Sequence, residues 1–160
     1  MKKIKIESQL EVYDDLSELS EDVRSLMQAA VEARNVAYAP YSEFHVGAAI
    51  LLANGQIIKG NNQENASYPS GLCAERTAIY YAGANFPGVE IVEIAISAKA
   101  KNKETIEPIP PCGACRQAIA EYEVKQNSPI ALYFMGEKGK IVKSDSLENL
   151  LPLLFTQDYL

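Results

Sequence analysis

Three cysteines limit how this chain can fold more than any other feature. Two stand in Pro111-Cys112-Gly113-Ala114-Cys115, and the third, Cys73, lies 39 positions before Cys112. The count is odd, and the opening MKKIKIESQLEVYDD has no apolar signal segment. A disulfide framework is therefore not expected, and the expected compartment is the cytoplasm. There is a single histidine, His45, so any zinc site must be built mainly from sulfur. A useful fold has to bring Cys73 against the later pair.

Hydrophobic spacing outlines that fold. Ser20 is a good N-cap, with Glu21 and Asp22 in the first turn where the helix dipole favours acids. Val23, Leu26, Met27, Ala30 and Val31 recur at helical spacing, so a helix is expected to about Val36, before Pro40. Phe44, Val46, Ala48, Ile50 and Leu52 alternate with a second small or apolar set, which suits a strand buried on both faces. Asn54-Gly55 signals a type I′ hairpin into a strand beginning at Ile57-Ile58. Residues 60–71 are polar and read as a loop.

Further helices are expected over Cys73 to about Ala82 and Cys112 to about Tyr122. Strands are expected over Val89–Ser97, Ile130–Met135 and Lys140–Val142. Ser146 is placed to cap a last helix through LENLLPLL, which Pro152 bends or begins to close. This order predicts an α/β fold: a three-layer α/β/α sandwich around a mixed sheet of about five strands. Residues 1–19 read as an acidic N-terminal extension, in which Ile4, Ile6, Leu10 and Val12 suggest a short edge strand or a mobile tract. Residues 20–160 read as a single catalytic domain.

The cysteine segments each open an expected helix. Exposed N–H groups and the positive end of the dipole stabilise a thiolate there, which makes the sulfur a ready metal ligand. Cys-x-x-Cys puts two sulfurs within one turn, and Pro111 suits a helix start. Three sulfurs without a fourth leave one position for water, as in catalytic zinc sites. His45 is the one alternative closing ligand; its other reading is a packed strand residue. Zinc with three thiolates carries net negative charge, which opposes ionising the water. A cation is therefore expected beside the sulfurs, with Arg76 first, Arg116 second, and Gln117 as a further hydrogen-bond donor. Glu75, two residues after Cys73, is placed to carry protons without binding the metal.

CAERTA and PCGACRQ fit the pattern described for zinc deaminases as a class. Together with YAPYSEFHVGAAI and NQENASY, they resemble the cytidine deaminase family in its short, all-cysteine-ligand form, over about residues 22–155. The resemblance implies zinc-dependent deamination of cytidine and deoxycytidine to uridine and deoxyuridine in pyrimidine salvage. It implies one Zn2+ per subunit on Cys73, Cys112 and Cys115, with Glu75 as general acid and base. Arg76 would hydrogen-bond the ligand sulfurs and offset their charge. Phe44 would line the pocket against the base, Ala74 would contact the substrate, and Asn62 and Glu64 would hold a ribose hydroxyl. Tyr68 and Phe155 would reach across subunit interfaces of a homotetramer. The stretch Tyr68-Pro69-Ser70-Gly71-Leu72 departs from the family's commoner linker.

Net charge, at −6, argues against a polynucleotide partner, which usually needs a basic face, and favours a small substrate. No apolar run approaches the ~18 residues of a membrane helix. Two rivals remain: the same chemistry on a blasticidin-type aminonucleoside, and a zinc-stabilised binding module with four protein ligands.

Overall fold

The computed structural model describes residues 1–160. Helix α1 (Glu21–Asn35) begins where the Ser20 hydroxyl oxygen accepts from the Val23 N–H at 3.4 Å. Its inner face, including Val23, Leu26, Met27 and Ala30, is buried. Strands β2 (Phe44–Leu52) and β3 (Ile57–Asn61) form a hairpin, and helix α2 (Ala74–Asn85) follows. Next come β4 (Ile91–Ala100), α3 (Gly113–Gln126), β5 (Ala131–Met135) and β6 (Ile141–Ser144). Before all of these lies β1 (Glu11–Tyr13).

The strands form one sheet in the order β1-β6-β5-β4-β2-β3, with β4 and β5 parallel and every other neighbouring pair antiparallel. The parallel pair requires a crossover, and α3 supplies it. Alternation along the strands separates two cores. Ala48, Ile50, Ile94, Ile96, Leu132 and Phe134 pack with Ala78 and Ile79 of α2 and Ile119 of α3. Ala49, Ala95, Tyr133 and Met135 pack with Leu26 and Met27 of α1. The expected three-layer α/β/α sandwich with a mixed sheet is what forms. Each fully buried Leu or Ile contributes about 1.5–3 kcal/mol. No helix is long and apolar enough to cross a membrane.

Three details differ from expectation. The sheet has six strands, because Glu11–Tyr13 pairs antiparallel with β6, placing Val12 opposite Val142. The hairpin is not type I′: only Gly55 takes a positive φ, 83°, and its N–H donates to the Leu52 carbonyl at 2.9 Å. A Leu52 N–H to Gln56 carbonyl bond closes a three-residue loop, so one left-handed glycine suffices and Asn54 keeps a negative φ. The last helix shrinks to one 3₁₀ turn, Leu147–Asn149, capped by Ser146. Pro152 accounts for this: it lacks an N–H and disfavours helical backbone at Leu151.

One contact positions the site. A Cβ on Gly60 would lie 2.6 Å from both the Ala74 carbonyl oxygen and the Ala78 nitrogen. Only glycine in β3 lets the first turn of α2 approach that closely, and Cys73 immediately precedes that turn.

Candidate active site

The fold gathers the three sulfurs. Cys73 is the N-cap residue of α2 and Cys112 that of α3, both in extended backbone, and neither side chain caps its own helix. The sulfurs lie 3.8 Å apart for Cys73 and Cys112 and 3.5 Å apart for Cys112 and Cys115. All three Sγ atoms fall within 4.8 Å of one another. Cys115 is buried, Cys73 half-buried and Cys112 exposed. His45 is not part of the group; it stands on β2 opposite Lys99.

The electrostatics call for a cation. A hydrogen bond from Cys115 lowers the Cys73 thiol to about 5 against the opposing effect of burial, with Arg76 and Cys112 helping. The Cys115 thiol is pushed up by that same bond and by burial. One thiolate thus forms at the expense of the next. Arg76 answers part of the charge, its Nη2 donating to Cys73 Sγ at 3.7 Å, and the guanidinium is held more firmly protonated in return. Three clustered soft donors suit zinc. Tetrahedral zinc–sulfur bonds of about 2.3 Å require sulfurs roughly 3.8 Å apart, close to the two measured separations.

Glu75 is 5% exposed in the first turn of α2. Burial raises its carboxyl above the usual carboxylate range, the charge on Cys73 adds to this, and hydrogen bonds oppose it. Ala74 is fully buried beside it.

A cavity of about 430 Å³ opens beside Cys73 and Arg76, lined also by Tyr41, Ser42, Asn62, Glu64, Tyr68 and Leu72. Asn62 lies on its wall, yet its side chain also stitches β2: Oδ1 accepts from the Val46 N–H at 2.8 Å and Nδ2 donates to the Phe44 carbonyl at 2.9 Å. Glu64 Oε2 accepts from the Tyr41 and Ser42 N–H groups at 2.9 and 3.2 Å, and Oε1 accepts from the Ser42 hydroxyl. Burial alone would raise the Glu64 carboxyl; the Ser42 hydroxyl and the two amides outweigh it and hold the group below its usual range. Ser42 and Tyr41 are hydrogen-bond partners of Glu64 that the sequence did not reveal, since nothing local links them to a glutamate 22 and 23 positions on.

Other expected residues sit differently. Phe44, half-buried at the start of β2, is not on the cavity wall, and neither is Glu75 or Phe155. Tyr68 is 76% exposed at the rim, its ring centroid 6.1 Å from that of Tyr41. Phe155 is exposed and stacked on Tyr159. The Gln117 amide donates to the Phe155 carbonyl at 3.0 Å and makes no hydrogen bond to a sulfur. Arg116 makes none either; it donates to the Pro111 and Leu150 carbonyls. Of the two arginines considered for charge balance, Arg76 alone reaches a sulfur.

Comparison with known proteins agrees with this geometry. The model of the cytidine and deoxycytidylate deaminase zinc-binding region matches residues 20–128. The chain is 39% identical to a cytidine deaminase of Halalkalibacterium halodurans, over 86% of this chain and 96% of that one. It is 40% identical to a cytidine deaminase of Sporosarcina psychrophila, over 86% and 93%. The crystal structure of cytidine deaminase from Burkholderia pseudomallei superposes with a TM-score of 0.72 at 38% identity, covering 86% of this chain and all of that one.

Proposed function

The chain belongs to the cytidine and deoxycytidylate deaminase family, and we propose that it is a zinc-dependent hydrolase that deaminates free cytidine and deoxycytidine. The products are ammonia and uridine or deoxyuridine. The observation that carries this reading is the cluster of three sulfurs beside the cavity, with buried Glu75 next to it. Cys73, Cys112 and Cys115 hold the metal. When bound, zinc supplies a Lewis acid that makes a water nucleophilic near neutral pH.

The chain's own residues supply the rest. Glu75, whose buried carboxyl keeps a proton more readily than an ordinary glutamate, takes one from the attacking water and passes it to ring N3. It then takes the remaining proton from the new C4 hydroxyl and hands it to the amino group, so that the C4–N bond breaks, ammonia leaves and a C4 carbonyl forms. Arg76 offsets the thiolate charge from bonding distance. Glu64 retains acceptor capacity on Oε1, which has Ser42 as its one donor, and this suits a sugar hydroxyl. Asn62 has one amide hydrogen to spare for the same sugar. Phe44 and Ala74 complete the base side.

We further propose residues 20–160 as the catalytic domain, with 1–19 as an extension, acting in pyrimidine salvage in the cytoplasm. A homotetramer, with Tyr68 and Phe155 reaching neighbouring sites, accounts for large aromatic side chains left exposed near the cavity and tail. Loss of cytidine absorbance, followed with and without a chelator, tests the core claim. Turnover should vanish with zinc removal and return on its addition; turnover unaffected by chelation and full zinc loss would refute it. Blasticidin S and a single-stranded oligonucleotide, tried in parallel, should be poor substrates.

A further inference from the structure

Helix α3 carries two of the three sulfurs and also anchors the chain's last segment. Glu123 Oε2 accepts from the Ile130 and Leu147 N–H groups at 2.7 and 3.0 Å, and Oε1 from the Ser146 hydroxyl at 2.7 Å. Gln117 holds the Phe155 carbonyl. Between them in space, Arg116 joins the tail to the metal loop. Its Nε donates to the Pro111 carbonyl at 2.8 Å and its Nη1 to the Leu150 carbonyl at 2.8 Å. Its backbone N–H donates to the Cys112 carbonyl at 2.9 Å. No backbone N–H donates to either carbonyl that the guanidinium serves.

From this geometry we propose that Arg116 is a positioning residue for the metal centre, bracing Cys112 against the C-terminal segment. The proposal rests on the zinc reading above. Pro111 is buried, and the Arg116 guanidinium is the donor its carbonyl has, with no backbone N–H on it. An unpaired buried carbonyl is costly, and the peptide that sets the Cys112 backbone would turn to find another donor. The Leu150 carbonyl is an orphan at the end of the 3₁₀ turn, of the kind helix ends leave unsatisfied. One rigid planar fork satisfies both groups at a fixed angle. A lysine ammonium, a single point on a flexible stem, does not reproduce that angle. Arg116 thus fixes one ligand by way of backbone without touching the sulfur.

The test uses the full chain loaded with zinc and measures the rate of zinc transfer to a chromogenic chelator, alongside the melting temperature. Arg116→Gln should release zinc about 10–100-fold faster, the usual scale when a group supporting a ligand is lost. Arg116→Lys, which keeps the charge but loses the fork, should also release faster, and it carries the test if Arg116→Gln does not fold. Glu123→Gln loosens the same tail without touching Pro111; it should lower the melting temperature and leave zinc release at the wild-type rate. The proposal is overturned if the Arg116 variants keep wild-type release. It is equally overturned if Glu123→Gln loses zinc as fast as they do, since the effect would then be general destabilisation. A wild-type chain that takes up no zinc overturns the metal reading itself, a result distinct from either.

Discussion

Replacing Gly60 with alanine asks how closely helix α2 must sit on the sheet. The new methyl group would lie 2.6 Å from the Ala74 carbonyl oxygen and the Ala78 nitrogen, where ordinary contact begins at 3.4 Å. Both are backbone atoms, so no side chain can swing aside. The first turn of α2 must move off β3 by the difference, 3.4 − 2.6, or about 0.8 Å. Metal–ligand distances tolerate only about 0.2 Å. Cys73, directly before that turn, would leave the cluster, and Glu75 would move with it. Overpacking should cost about 1–3 kcal/mol of stability. A misplacement near 1 Å should lower kcat/KM by about 10²-fold. The assay is cytidine turnover with zinc content and melting temperature measured on the same preparation. Gly113→Ala is the control: it lies inside the cysteine motif, yet its Cβ would meet nothing within 4 Å. It should keep zinc and fold normally. Full activity and full zinc in Gly60→Ala would refute the claim that this close approach seats the metal site.

Further outcomes follow from burial and charge. Glu75→Gln should abolish turnover while keeping zinc, and should raise the melting temperature, because it removes a buried ionisable carboxyl; a lower melting temperature would contradict this. Glu64 has a folded-state affinity for protons below that of the unfolded chain. Its contribution to stability is therefore present above the ordinary glutamate value of about 4.3 and is lost as pH falls below it. Glu64→Gln should flatten that acid limb in a melting series and raise KM for cytidine; an unchanged acid limb would show that its three donors do not favour the carboxylate.

What could be read in advance was what depends on local spacing. Cys73 is separated from Cys112 and Cys115 by helix α2, strand β4 and their loops, but each sits at a helix start, and the motif is short enough to recognise. The double-sided alternation around Ala48 and Ile50 foretold two cores, and Ser20 marked its helix. What escaped was decided by tertiary contacts. Arg116 and Gln117 follow Cys115 in sequence, but their hydrogen bonds to the carbonyls of Pro111, Leu150 and Phe155 are set by folding and have no local signal. Ser42 gains its role from a glutamate 22 residues away. The Asn54-Gly55 pair suggests a two-residue turn, but the register of β2 and β3 calls for three loop residues. The short edge strand suggested by Ile4, Ile6, Leu10 and Val12 does form, but only over Glu11–Tyr13, where β6 offers an edge to pair with.

Helices α2 and α3 begin on residues that a helix left to itself would not choose. Serine or aspartate in place of Cys73 or Cys112 would tie down an amide that the cysteine side chain leaves untied, a gain of about 0.5–2 kcal/mol at each end. The apoprotein is accordingly built with two loosely started helices that converge on one point. A metal held by Cys73 and Cys112 would fix both helix starts at once, so its binding energy would also be energy of folding.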